Sequence, residues 1–244
     1  MSILDFIFPK RCVNCRKIGS YICTDCFAFI KFHDQGVCIV CQRPSIGGLT
    51  HPVCKGRYTP DGVFSSLVYK GVVKKLVYKF KYNPNLTDLK ETLTDLFYEG
   101  IIQKEALNKV LEKDSVLVPI PLYKSKMRKR GYNQSLILAR GLGKNLNIPV
   151  LDCLERVKDT KTQVGLTKEK REENIKGAFG LKINVILSGA KDLDSSTSSQ
   201  NDMVKQVFLV DDVVTSGATL KEAAKALKKA GVTKVYGITL AHGQ

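Results

Sequence analysis

The 244 residues predict an α/β protein, a parallel sheet flanked by helices, with a small cysteine-rich module ahead of it. Three observations carry this expectation. From about residue 59 onward, strand-like segments alternate with helical ones, as a parallel sheet with helical crossovers requires. Several of the strands are continuous apolar runs, the pattern of burial on both faces. Seven of the eight cysteines fall within the first 54 residues, where no long apolar period exists. The expected boundary gives a module of residues 1–58 and a domain of residues 59–244.

The elements follow in order. After Tyr58, Thr59-Pro60-Asp61-Gly62 supplies turn residues and the chain then alternates as a strand does. Over residues 71–81, Val72, Leu76 and Lys79/Phe80 recur near the 3.6-residue period of a helix. Asn83-Pro84-Asn85 stops it. A second helix starts at Thr87 with Leu89, Leu93, Leu96 and Phe97 on one face. Residues 115–121 form a short buried strand closed by prolines. A basic loop then leads to a helix over residues 133–145, with Leu136, Ile137, Ala139 and Leu142 as its apolar positions. Residues 150–157 read as a strand, 158–177 as a long polar surface loop, and 188–202, rich in Ser and Asp, as a flexible insertion. A continuous apolar strand over 206–214, an amphipathic helix over 218–230 and a last strand over 234–241 complete the chain.

Charge and composition narrow the function classes. Lys and Arg number 39 against 23 Asp and Glu, a net +16. That favours an anionic partner without choosing among nucleic acid, nucleotide, phosphosugar and lipid. No window approaches the roughly 18 apolar residues that cross a bilayer. The N-terminus has no basic leader region and meets Asp5 early, which predicts a cytoplasmic protein.

The cysteines are spaced Cys12-x2-Cys15, Cys23-x2-Cys26, Cys38-x2-Cys41 and then His51-x2-Cys54. Each x2 pair turns two side chains to one side of a tight knuckle, and two knuckles complete a tetrahedron around zinc. Four half-sites suffice for two ions. Sequential pairing gives an all-cysteine site from Cys12, Cys15, Cys23 and Cys26, and a mixed site from Cys38, Cys41, His51 and Cys54. Crossed pairings fit the spacing too, and His51 reads either as the fourth ligand or as a loop histidine. Four protein ligands leave no open position, so such zinc is structural, and it supplies folding energy that so short a module cannot draw from a core. Cys153 stands alone in a strand and reads as a packed hydrophobe.

The other informative stretch is Val207-Phe208-Leu209-Val210-Asp211-Asp212-Val213-Val214-Thr215-Ser216-Gly217-Ala218-Thr219. A buried strand ends in two acids, a turn of small hydroxylated residues follows, and a helix begins at once. The helix start offers unpaired N–H groups and the positive end of its dipole, the makings of a phosphate site. The acid pair suits ribose hydroxyls and Mg²⁺. No Lys follows Gly217, so this is not the loop of a P-loop NTPase, nor is it a Gly-x-Gly-x-x-Gly turn.

This stretch resembles the phosphoribosyl pyrophosphate (PRPP) signature of type I phosphoribosyltransferases. The resemblance implies that Asp211 and Asp212 bind the ribose and that Thr215, Ser216, Gly217, Ala218 and Thr219 cradle the 5′-phosphate. Purine-salvage members often carry an acid where Thr215 stands, so salvage of a purine is not implied. Pro119-Ile120-Pro121 followed by Arg130-Gly131-Tyr132-Asn133-Gln134 resembles the ComF family, as do Arg156-Val157, Thr160, Gln163, Leu166, Arg171, Asn174, Ala178 and Phe179. With the cysteine module, the likeness to ComF covers nearly the whole chain. It implies a double zinc ribbon on a type I phosphoribosyltransferase-like domain, in the cytoplasm, engaged in natural competence and DNA uptake. It also implies, as partners, PRPP or another phosphoribosyl ligand with Mg²⁺, single-stranded DNA, and competence helicase or DNA-processing proteins. The activity it implies is phosphoribosyl transfer from PRPP to an unassigned acceptor; the alternative reading, from the charge, the Lys/Tyr cluster and the zinc ribbons, is a non-catalytic single-stranded-DNA-binding accessory protein that uses the PRPP fold as scaffold or sensor.

Basic clusters complete the expectations. In a phosphoribosyltransferase Lys124, Lys126, Arg128, Lys129 and Arg130 would lie at the pyrophosphate, with Arg130 offering the bidentate guanidinium suited to it; otherwise they make a solvated loop that is basic for solubility. Lys70, Lys74, Lys75, Lys79 and Lys81 interleave with Tyr69, Tyr78 and Tyr82. That pattern suits either single-stranded nucleic acid or tyrosines packed in the core beneath exposed lysines. Lys158, Lys161, Lys168, Lys170 and Arg171 make the 158–177 segment a basic loop able to close over pyrophosphate, or merely a solvated one.

Overall fold

The computed structural model describes residues 9–82, 87–160, 167–182 and 204–243. The stop at Asn83-Pro84-Asn85, the 188–202 insertion, Lys161, Gln163 and Leu166 lie outside them. The chain opens with a short helix α1 (Thr24–Phe27) and two single-turn 3-10 segments, Ile46–Gly48 and Pro52–Cys54. Then come β1 (Gly62–Val68), α2 (Gly71–Tyr82), α3 (Thr87–Ile102), α4 (Glu105–Val110), β2 (Ser115–Pro119), α5 (Lys124–Arg130) and α6 (Gln134–Leu146). β3 (Leu154–Arg156), α7 (Lys168–Ile175), β4 (Phe179–Leu181), β5 (Gln206–Val214), α8 (Ala218–Lys229) and β6 (Lys234–His242) follow.

Four strands form one parallel sheet in the order β1-β6-β5-β2. Alternation along β5 shows why its sequence is apolar throughout. Phe208 and Val210 join the core beneath α2, α3 and α6, while Val207 and Leu209 join the core beneath α8. The helical period in residues 71–81 has the same origin: Val72, Val73, Leu76, Val77 and Phe80 are the buried face of α2. In α3, Leu89, Leu93, Leu96 and Phe97 are all buried. Cys153 is buried as a small hydrophobe.

Three segments depart from the sequence expectation. The basic stretch after β2 is the helix α5, because no breaker interrupts residues 124–130 and Gly131, at φ 80°, supplies a left-handed end. Its last-turn cations also complement the helix dipole. The polar 158–177 segment contains α7, whose N-cap Thr167 accepts from the Lys170 N–H and whose Glu172 pairs with Lys221 of α8. The expected strand over 150–157 divides in two. Val150 bridges Leu117 beside β2, and Leu154–Arg156 pairs antiparallel with β4, a strand the sequence did not announce, in a separate two-stranded sheet.

Candidate functional site

The carboxyl end of the parallel sheet gathers the chemistry. β5 carries Asp211 and Asp212 to that edge, the chain turns through Thr215, Ser216 and Gly217, and α8 begins. Gly217 adopts φ 70°, a left-handed conformation costly for other residues, and no side chain caps the helix. The start of α8 thus carries the backbone N–H groups and the positive dipole end that suit an anion.

The two acids are held differently. Asp211 Oδ1 accepts from Ser135 Oγ at 3.0 Å and from the Asp212 N–H at 2.9 Å. Ser135 is positioned by the cap of α6, where the Asn133 side chain accepts from the Ser135 N–H. Asn133 also ties back to β2 by donating to the Ile120 carbonyl at 3.1 Å. Asp212, 7% exposed, forms an ion pair with Lys81 at 2.8 Å. Burial and the Asp212 charge push the Asp211 carboxyl up to about 7, against the opposing pull of Lys81, the Asp212 N–H and Ser135. Burial works against the Lys81 charge, but Asp212 outweighs it and holds the ammonium above its ordinary range.

Sequence reading placed Lys81 in the Lys/Tyr surface cluster; the structure turns it to the acid pair instead. Helical phase gave no signal of this, since Lys81 lies seven residues beyond exposed Lys74 and so on the same face of α2.

The helical form of α5 sorts its cations. Lys124, Arg128 and Lys129 are exposed, whereas Lys126 and Arg130, four residues apart, share the inward side. Lys126 donates to the Thr160 carbonyl at 2.9 Å, and Arg130 donates to Gln134 Oε1 at 2.7 Å. Arg156, close enough to Asp211 to feel its charge, donates to Thr160 Oγ1. Gln134 Nε2 and Arg156 Nε are buried donors without a protein acceptor among the described residues. Arg171 reaches from α7 to donate to Thr215 Oγ1 at 2.9 Å.

The cysteine module forms two clusters, Cys12/Cys15/Cys23/Cys26 and Cys38/Cys41/His51/Cys54, in each of which the ligand atoms lie within 4.8 Å of one another. The sequential sets are those brought together. Cys15 Sγ and Cys23 Sγ are 3.5 Å apart, and Cys41 Sγ and His51 Nδ1 are 3.4 Å apart. Zinc–sulfur bonds near 2.3 Å at tetrahedral angles put sulfurs about 3.8 Å apart, so the donor sets fit zinc. His51 Nε2 lies 3.0 Å from the Pro44 carbonyl, which fixes the proton there and leaves Nδ1 free to ligate.

The two knuckles repeat one design. Arg16 and Gln42, each just after a Cys-x2-Cys pair, take positive φ, and their N–H groups bond to the carbonyls of Cys12 and Cys38. Burial would raise the Cys12 and Cys38 thiols, but nearby backbone N–H groups, foremost those of Cys15 and Cys41, bring both to about 6.

The module is built into the site. Residues 31–33 lie along β1, with Phe32 bridging Leu67 and the His33 N–H donating to the Ser66 carbonyl. Ile39, between Cys38 and Cys41, is 1% exposed and packs on Gly217, where a Cβ would meet its Cγ1 at 2.5 Å. Ile39, His33 and His242 were not singled out in the sequence, because residues so far apart in the chain leave no local pattern.

Comparison with known proteins agrees with this geometry. Residues 3–56 match the double zinc ribbon domain and residues 133–243 the phosphoribosyl transferase domain. Competence protein F of Haemophilus influenzae is 35% identical over 230 residues, covering 92% of this chain and 86% of that protein. Competence protein ComFC of Bacillus subtilis is 26% identical, covering 88% of this chain and 81% of its own. DNA utilization protein YhgH of Escherichia coli is 25% identical, covering 93% and 94%. A double zinc ribbon ahead of a phosphoribosyltransferase domain, with identity to competence proteins along nearly its whole length, makes this chain a member of the ComF family.

Proposed function

We propose that the chain binds PRPP, or a related phosphoribosyl ligand, with Mg²⁺ at the β5–α8 turn, and that it serves DNA uptake in the cytoplasm through that site. The observation that carries this reading is the acid pair of Asp211 and Asp212 on one strand end, followed by an uncapped helix N-terminus at Gly217. The carboxylates accept from the ribose hydroxyls, and Thr215 to Thr219 cradle the 5′-phosphate. Arg130, Lys126 and Arg156 face pyrophosphate with the fixed positive charge that favours its departure as an acceptor attacks the anomeric carbon. The hard oxygens of Asp211 and Asp212 suit Mg²⁺, which when bound neutralises phosphate charge. Zinc on Cys12, Cys15, Cys23 and Cys26, and on Cys38, Cys41, His51 and Cys54, is structural.

Titration calorimetry with Mg²⁺ and PRPP tests this. Asp211→Ala with Asp212→Ala is expected to weaken binding roughly tenfold or more, the worth of charge-assisted hydrogen bonds. Undiminished binding overturns the site.

A second reading, single-stranded DNA held beside the same site, is favoured by one observation. Tyr78 and Tyr82 are 65% and 53% exposed on α2, with ring centroids 4.8 Å apart, and the Arg130 guanidinium lies over Tyr82. They are a surface pair, not core tyrosines under a lysine cover.

A further inference from the structure

Two neighbouring carboxylates on a largely buried strand end need positive charge beside them, and the sugar proposed for them brings none. Ribose hydroxyls donate hydrogen bonds without carrying charge, and a phosphate adds negative charge. The compensation must come from the chain or from a metal ion. Among the described residues one cation forms an ion pair with these acids. Lys81 Nζ stands 2.8 Å from Asp212 Oδ1, and both side chains are largely buried.

The backbone around Lys81 is fixed by the same stretch that seats the acids. Tyr132 donates its hydroxyl to the Phe80 carbonyl in the last turn of α2, and the two rings lie 5.9 Å apart. Phe80 itself is buried in the core, which fixes the residue that follows it. Next to Tyr132, Asn133 caps α6 and so places Ser135 on Asp211. Among the described residues, the contacts to both acids fall on Oδ1: Lys81 on Asp212, and Ser135 with the Asp212 N–H on Asp211. The two Oδ2 atoms are left for a pair of vicinal hydroxyls.

From this geometry we infer that Lys81 is a positioning residue of the site, the built-in counter-charge that readies the Asp211–Asp212 pair for a ribose diol without a metal ion on the carboxylates. The inference rests on the phosphoribosyl reading and specifies what balances the charge of its acid pair. A divalent ion on Asp212 would stand beside the ammonium, and a largely buried site screens that repulsion poorly. Lys81 and Mg²⁺ are therefore alternatives at these oxygens. Asp212 in turn keeps the ammonium charged.

Calorimetry of the full chain with ribose 5-phosphate, in EDTA and in MgCl₂ at constant ionic strength, tests the role. The wild-type chain is expected to bind as tightly in EDTA as in MgCl₂. Lys81→Met is expected to bind about tenfold more weakly in EDTA, the scale of a hydrogen bond to a charged group, and to regain part of the loss in MgCl₂. Titrated with MgCl₂ alone, Lys81→Met is expected to show a weak Mg²⁺ site that the wild-type chain lacks. A merely structural lysine would weaken sugar binding alike in both buffers and create no metal site. Lys81→Arg, which keeps the charge, is expected to bind in EDTA and to gain no Mg²⁺ site.

Wild-type binding that disappears in EDTA overturns the role, whether or not Lys81→Met folds. So does a Lys81→Met chain that binds like the wild type, or that loses affinity equally in both buffers and takes up no Mg²⁺. Failure of ribose 5-phosphate to bind the wild-type chain in either buffer overturns the phosphoribosyl reading and the role with it.

Discussion

Adjacent carboxylates on a strand end repel one another, and the structure divides the burden unequally between them. Asp212 is paired with Lys81, whereas Asp211 accepts from the Ser135 hydroxyl and the Asp212 N–H and feels Lys81 through its charge, and burial with the Asp212 charge pushes its carboxyl up to about 7. A carboxyl so raised keeps its proton in the folded chain between about pH 4 and pH 7, where the unfolded chain has already lost it. Stability therefore falls as pH rises through that window and levels off above it.

Ligand binding runs the other way, because ribose hydroxyls donate to the ionised carboxylate. Affinity for Mg²⁺ and PRPP is expected to rise several-fold between pH 6 and pH 8, less than about tenfold per pH unit for one ionisation. Asp211→Asn should remove that part of the rise, leaving the titration of the ligand's own phosphates. Calorimetry at pH 6, 7 and 8 on both proteins decides the matter, and an identical slope in the two would refute a shifted Asp211. The acid pair was legible in the sequence as a motif, but its asymmetry was not. Lys81 lies 131 positions from Asp212 along the chain, and only the packing of α2 brings them together.

What was legible among the elements follows the range of the forces that make them. β5, α8 and β6 announce themselves because period and burial are written locally. α5 and α7 were read as loops because their helicity comes from caps and docking rather than from an apolar stripe. Gly131 and Thr167 end or begin them, and Glu172 ties α7 to α8. β4 is three residues long and exists through its pairing with β3.

The same logic joins the second zinc knuckle to the phosphate turn. Ile39 sits in a tight Cys-x2-Cys turn, and its side chain is buried against Gly217. Ile39→Ala is expected to leave two zinc ions per chain by native mass spectrometry while costing about 2–4 kcal/mol in denaturant unfolding. PRPP affinity should weaken as the turn loses its support. Cys38→Ser should lower the count to one ion and weaken PRPP binding in the same direction, whereas unchanged binding in both would mean that knuckle and turn are independent.

The net +16 acquires a map once the chain is folded. Residues 1–59 hold eight Lys and Arg against three Asp, so the larger share lies on the α/β domain. There Lys81 pairs with Asp212, Lys126 and Arg130 are half-buried on the Thr160 carbonyl and Gln134, and Lys74, Arg128 and Lys129 are exposed. Lys74 lies one helical turn before the exposed Tyr78–Tyr82 pair on α2, and the Arg130 guanidinium lies over Tyr82.

Stacking and charge make separable demands on a bound strand, so they can be told apart experimentally. Oligo-dT affinity is expected to fall with salt, with a log–log slope near −0.7 for each phosphate neutralised. Removing Lys74 and Lys129 with glutamine should reduce that slope by about 1.4 in total. Y78A/Y82A should instead lower affinity at every salt concentration, by about 1–3 kcal/mol for each base unstacked, and leave the slope unchanged. Fluorescence anisotropy across a salt series reads both quantities at once. Salt-insensitive binding would remove the phosphate track, and an unaltered Y78A/Y82A would remove the stacking platform.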